Sequence, residues 1–238
     1  MLPELNSKSI QENLLLLQLA SSAFPSGSYT HSSGFESLLE DGIVDDAESL
    51  HFYLKVWLLE SVARSDAPAV ALTHKCIEKN QPEQLIELSN LLTGMKYSRG
   101  SYNSSVMIGK ATFKSLVGSF SLLGRELESY MEFDPDKEME YHHAIVWGLA
   151  TKLYGVGMLE SVSAFLFSTF SGVLEVIARI IPLGQKDTQK ILAESYGDLV
   201  DALSLSMELG LTDLSSQSAI QDIAAMNHER LSMKLCIT

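Results

Sequence analysis

Residues Leu17 to Glu36 read LQLASSAFPSGSYTHSSGFE, and the break inside this stretch sets the reading of everything around it. Leu17 and Leu19 close an apolar helical run. Pro25 then locks one backbone angle, Gly27 admits a positive one, and Ser26, Ser28, Thr30, Ser32 and Ser33 compete for backbone hydrogen bonds. A loop must follow the first helix. Tyr29 and His31 stand among these small residues, and helical pattern returns with Phe35, Leu38 and Leu39 after Gly34. On local chemistry alone this is a structured connection between two helices.

Upstream, the spacing of Ile10, Leu14, Leu17 and Leu19 predicts a helix largely covered by neighbours. Downstream, Glu36 to Asp41 form a short helix stopped by Gly42, which can turn left-handed. Asp45 with Glu48 resembles a capping box for a helix that carries Leu50, Tyr53, Leu54, Trp57, Leu58 and Val62 and ends near Arg64. Asp66 caps the next, with Pro68 in its first turn, and Gln81 and Pro82 open another. Between Leu85 and Leu123 two helices are expected, broken near Gly94 to Gly100. Glu132 to Glu140, EFDPDKEME, reads as an exposed acidic connection. Small residues around Trp147, such as Gly148, allow close helix approach. Val162 to Ile181 is a core helix, and its most apolar part, Ser161 to Leu174, is too short to span a bilayer. Pro182 and Gly184 end it, and Lys186 or Asp187 starts a helix carrying Ile191, Leu192, Tyr196, Leu199 and Leu203. Gln221 to Glu229 is amphipathic, and the apolar tail Lys234-Leu235-Cys236-Ile237-Thr238 follows. Strand signals are nearly absent, so the expectation is a single all-α domain over residues 1–238, a helical bundle of about nine to ten helices.

A chain of 238 residues that is 46% hydrophobic can bury a large core. Its net charge of −13 argues against nucleic acid and anionic membrane surfaces as partners. Cys76 and Cys236 lack any finger or CxxC spacing, so a cytoplasmic protein without disulfide or structural zinc is expected, and the N-terminal run does not read as a secretory signal. Known catalytic patterns fail one by one. His228-Glu229 begins like HExxH but Ser232 stands where the second histidine belongs; Gly109-Lys110 lacks the rest of a phosphate loop; no GxSxG is present. Adjacent His142 and His143 point about 100° apart on a helix and are read as structural rather than as metal ligands. No catalytic, metal or cofactor residue is nominated.

Three blocks carry a resemblance. The first is Leu17-Gln18-Leu19-Ala20-Ser21 through Pro25-Ser26-Gly27-Ser28-Tyr29-Thr30-His31-Ser32 to Gly34-Phe35-Glu36, the second is Arg179, Pro182, Leu183, Gly184, Gln185 and Gln189, and the third is Gln221-Asp222-Ile223-Ala224, Met226 and His228-Glu229 with the closing tail. In this order they resemble the urease accessory protein F family, with Phe35 for the usual Leu, and Lys234, Cys236 and Thr238 as conservative departures in the tail. His143 with Gly148 fits a further family pattern, whereas Gly100 and Tyr102 replace a more charged one. The resemblance implies a non-enzymatic scaffold without cofactor that dimerises, binds urease accessory protein D (also called H), and recruits the nickel-carrying GTPase onto apo-urease. Partner contacts are expected from Lys234, Leu235, Cys236, Ile237 and Thr238 with His228 and Glu229, and from Ser28, Tyr29, His31, Glu36, Arg179, Gln185 and Gln189. For the tail itself two readings stay open: ordering in a partner's groove, or docking on the protein's own core.

Overall fold

The computed structural model describes residues 7–132, 139–181 and 183–237. Pro182, Thr238 and most of the acidic stretch between Glu132 and Glu140 lie outside the described residues. Among the described residues there are twelve α-helices and no strand: α1 (Ser7–Ala20), α2 (Phe35–Glu40), α3 (Ala47–Glu60), α4 (Asp66–Glu78), α5 (Glu83–Met95), α6 (Arg99–Ser119), α7 (Ser121–Met131), α8 (His143–Tyr154), α9 (Met158–Ile180), α10 (Gln185–Glu194), α11 (Tyr196–Glu208) and α12 (Ala219–His228). Three 3-10 turns, Ser28–Thr30, Val62–Arg64 and Leu211–Asp213, join them.

The helix count exceeds the nine to ten expected because the chain divides at Phe120 and at Ser195, within stretches read as continuous. At Phe120 the backbone turns extended (φ −128°, ψ 95°) and separates α6 from α7. Ser195 divides α10 from α11 more gently: its hydroxyl donates to the Ile191 carbonyl, and its own carbonyl still accepts from Leu199 N–H. The expected break before Gly100 is present, with α5 ending at Met95 and α6 starting at Arg99.

Three start signals need correction. The cap of α3 is Asp46, one residue after Asp45, and its carboxylate accepts from Ser49 N–H at 2.8 Å while Ser49 Oγ bonds back. Serine thus fills the role assigned to Glu48. Asp66 begins α4 but does not cap it; its carboxylate pairs with Lys96 Nζ at 2.6 Å, joining α4 to the end of α5. Helix α10 starts at Gln185, ahead of Lys186 and Asp187.

Helix α9 forms the centre, packed against α1, α4, α8, α10 and α11. Its segment Met158–Ile177 is long and apolar enough to cross a membrane by length and composition, so the length argument drawn from Ser161 to Leu174 does not hold; half of that window is buried inside the protein. Close approach is bought with missing side chains: a Cβ on Gly148 of α8 would lie 2.7 Å from Thr73 Cβ of α4. His142, fully buried, bonds Thr93 Oγ1 at 2.9 Å and Ser105 Oγ at 3.0 Å, so it ties α5 and α6 to the start of α8. Glu140 is likewise held, its N–H donating to Ser89 Oγ and its carboxylate accepting from Tyr102 at 2.6 Å. That end of the acidic connection is fastened rather than freely solvated.

Candidate functional site at the buried Glu36 junction

The loop that interrupts the first apolar run builds its shape from its own small residues. Gly27 sits at φ +76° and starts the 3-10 turn Ser28–Thr30, and Thr30 Oγ1 bonds the Gly27 carbonyl at 2.8 Å. Gly34, at φ +85°, then opens α2 and does more than permit the turn. A Cβ there would lie 2.8 Å from the backbone nitrogen of Ala225 and 3.1 Å from the Gln221 carbonyl. The loop and α12 therefore meet backbone to backbone, a contact that Gln221 reinforces by donating to the Ser33 carbonyl.

This approach places Glu36, in the first turn of α2, beneath the end of α12 and the tail. Its carboxylate is 6% exposed and accepts three hydrogen bonds: from His228 Nε2 at 2.8 Å, from Leu235 N–H at 2.6 Å and from Cys236 N–H at 3.1 Å. Burial alone would raise the Glu36 pKa, but the two amides and His228 together hold it below the ordinary carboxylate value. One residue on, Ile237 N–H donates to the Thr30 carbonyl at 2.8 Å. The Cys236 thiol is buried, and desolvation followed by the neighbouring Glu36 charge pushes it up to about 11, with Arg179 acting in the opposite sense. Such a thiol is protonated and inert at neutral pH.

The loop after the first helix and the C-terminal tail are thus joined, and the docking of the tail on the protein itself is what the structure shows. The docking is one-sided. Cys236 points inward at 8% exposure, while Met233, Leu235 and Ile237 are 79%, 70% and 56% exposed. Ile223 and Met226 are exposed on α12. The tail's backbone is consumed internally and its apolar side chains are left outside.

The other nominated residues are distributed unevenly around this junction. Tyr29 is exposed and Ser28 partly buried on the 3-10 turn, while His31 is buried and desolvation lowers its pKa to about 4. Glu229 is exposed and its carbonyl accepts from Lys234 Nζ. Arg179, in the last turn of α9, is exposed and close enough for its charge to act on Cys236. Gln185 and Gln189 lie exposed on α10, which packs on α9, α11 and α3 and belongs to a different region. Thr238 lies outside the described residues.

Behind the junction lies a cavity of about 140 Å³ bordered by His31, Gly34, Trp57, His143, Trp147 and Asp222 among others. His143 packs at 5.3 Å from the Phe165 ring and 5.8 Å from Trp147, and desolvation lowers its pKa to about 4, so it is neutral at pH 7. Asp66 also borders the cavity; burial opposes its ionisation, but the Lys96 ammonium outweighs that and holds its pKa low. No group of three or more His, Cys, Asp or Glu with metal-holding geometry occurs among the described residues. Thr30 and Gln221 take part in the junction without having been nominated; a backbone carbonyl and a glutamine 188 positions from its acceptor leave no spacing signal.

Fold and junction define an all-helical protein in which an N-terminal loop and a C-terminal helix and tail close around one buried carboxylate. Residues 44–196 match the family model described as UreF. Three proteins called urease accessory protein UreF are similar along nearly their whole length. That of Bacillus sp. (strain TB-90) is 30% identical over 222 residues, 93% of this chain and 97% of its own. That of Geobacillus kaustophilus (strain HTA426) is 30% identical over 227 residues, covering 94% and 97%, and that of Haemophilus influenzae (strain ATCC 51907 / DSM 11121 / KW20 / Rd) is 26% identical over 231 residues, covering 96% and 97%. The chain belongs to the UreF family of urease accessory proteins, which places its role in urease maturation and implies interaction with other urease accessory proteins.

Proposed function

We propose that this chain is a non-enzymatic, cytoplasmic scaffold that dimerises, binds urease accessory protein D/H, and recruits the nickel-carrying GTPase to apo-urease for nickel insertion. Nickel is cargo handled by the other subunits. The contribution of a scaffold is to hold metal carrier and recipient in one assembly, which raises their effective concentration without any reactive group of its own. The observation that best supports this reading is the one-sided tail: Met233, Leu235 and Ile237 are exposed beside a fixed backbone, with Ile223 and Met226 on the preceding helix. Apolar side chains held outward on an ordered backbone are what a protein partner can cover at low entropic cost. The tail is accordingly the contact for the D/H protein. Arg179 with the Ser28–Tyr29 turn serves the GTPase-facing or dimer surface.

The test is co-purification with the D/H protein and the GTPase, followed by nickel-dependent activation of apo-urease, for the full chain and for a chain lacking Lys234 to Thr238. Assembly and activation by the full chain, both lost in a truncated chain that remains folded, is the expected result. Identical behaviour of the two moves the interface away from the tail, and failure of the full chain in both assays refutes the scaffold role.

A further inference from the structure

The tail could present its apolar side chains in many ways; one group settles which. We propose that Glu36 is a positioning residue for partner binding: it contacts no partner but fixes the tail register in which Met233, Leu235 and Ile237 face outward. This rests on the proposal that the tail binds the D/H protein.

Three observations carry it. The Glu36 carboxylate accepts from two successive tail amides, Leu235 and Cys236, and no neutral side chain can accept both as well as a carboxylate can. The chain bends at Leu235 and Cys236, which turns two successive amides toward the same carboxylate; holding both fixes that bend, with Cys236 turned inward and Leu235 and Ile237 left outside. His228 bonds the same carboxylate at 2.8 Å, which ties the angle at which the chain leaves α12 to the same group. The Ile237 N–H to Thr30 bond continues the same register toward the signature loop. Glu36 thereby converts a segment that would otherwise fray into a surface of one conformation, and the binding affinity includes whatever ordering it has already supplied.

The experiment compares the full chain with Glu36→Gln, Leu235→Ala and the tail deletion. Two quantities are read: the Kd for the purified D/H protein, and amide hydrogen exchange at Leu235 and Cys236 against exchange in α8 and α9. Glutamine keeps the shape but offers an amide nitrogen where a backbone N–H needs an acceptor. Expected is faster exchange confined to the tail and a Kd weakened by about 10- to 100-fold. Leu235→Ala, which trims a contact side chain and leaves the Glu36 bonds in place, should weaken binding with no change in tail exchange. If Glu36→Gln frees the tail amides and the Kd does not change although the deletion abolishes binding, Glu36 has no positioning role and the tail reading survives. If the deletion leaves the Kd unchanged, the tail is not the interface and the positioning role falls with it. Should Glu36→Gln lose the core, shown by fast exchange in α8 and α9, Leu235→Pro removes one of the two donors from the tail side alone. Its expected result is a loose tail over an intact core with a Kd weakened beyond that of Leu235→Ala, and a Kd no weaker than that of Leu235→Ala overturns the proposal.

Discussion

Replacing Gly34 with alanine tests the contact on which the junction stands, and Gly27 supplies the control. Both glycines have left-handed backbones, φ +85° and φ +76°, so either substitution forces an L-residue into that region at about 1–2 kcal/mol. They differ in surroundings. Around Gly27 a Cβ meets nothing within 4 Å, whereas at Gly34 it lies 2.8 Å from Ala225 N, 3.1 Å from the Gln221 carbonyl and 3.2 Å from Ala225 Cα. All three are backbone atoms of one helix, so no side chain can swing aside and α12 must shift as a body. Overpacking of that sort adds about 1–3 kcal/mol. Gly27→Ala should therefore cost about 1–2 kcal/mol and Gly34→Ala about 2–5 kcal/mol. Urea unfolding measures both, and for a chain of this length the difference corresponds to about 2–12 °C in Tm. Equal destabilisation by the two substitutions would refute the backbone contact between loop and α12. Because α12 leads into the tail, Gly34→Ala should also speed exchange at the Leu235 and Cys236 amides, which Gly27→Ala should leave alone.

Other parts of the fold give sharper or broader responses. Asp66→Asn leaves the Lys96 ammonium, whose side chain is 13% exposed, without its counter-charge, and unfolding free energy should fall by about 3–5 kcal/mol, more than for an exposed pair such as Lys190–Glu194. At Gly109 a Cβ would collide with the Tyr141 carbonyl oxygen, so Gly109→Ala should yield little folded protein, as circular dichroism and gel filtration would show. Acidification acts through His31, His74, His142 and His143, each lowered by desolvation from 6.5 to about 4. The unfolded chain then binds more protons than the folded one between those values, so stability is complete above pH 6.5 and declines as pH falls toward 4. At pH 5.5 the loss is about 1 kcal/mol per histidine, and a urea midpoint unchanged between pH 7.5 and 5.5 would show that these histidines are not buried neutral.

Helices were legible in the sequence wherever a chemical stop marks them. Gly42 sits at φ +66° where the short helix α2 ends, Pro82 stands at the start of α5, and the pause before Gly100 separates α5 from α6. The missed boundaries have tertiary causes. Phe120 turns the chain because its ring packs at 5.9 Å against Tyr154 of α8, and Gly124 lets α7 fold back so closely that a Cβ there would lie 2.9 Å from Val117 Cα. Gly118 and Gly124 flank Phe120, but a glycine does not say which helix the ring beside it will pack on. At Asp45-Asp46 the choice of cap was ambiguous by one residue, and the serine three positions after Asp46 decided it through a reciprocal bond.

The site divides in the same way. Its residues could be nominated from the three blocks, but their joint purpose could not, since the bonds at Glu36 span 192, 199 and 200 positions. Local reading gives each member an ordinary task. An acidic residue in the first turn of a helix suits the helix dipole, a histidine beside a glutamate near a helix end reads as a failed metal motif, and an apolar tail reads as loose. Helix α2 has only six residues, too few for its dipole to need a carboxylate buried at 6% exposure. A buried charge at the edge of the core is costly unless its hydrogen bonds are filled, and the groups that fill them come from His228 and the tail. The burial of Glu36 and the order of the tail are therefore one fact: with the tail removed, the carboxylate keeps only His228 among its three donors, so deletion of Lys234 to Thr238 opens the carboxylate to water and strips two of its hydrogen bonds as well as removing a surface.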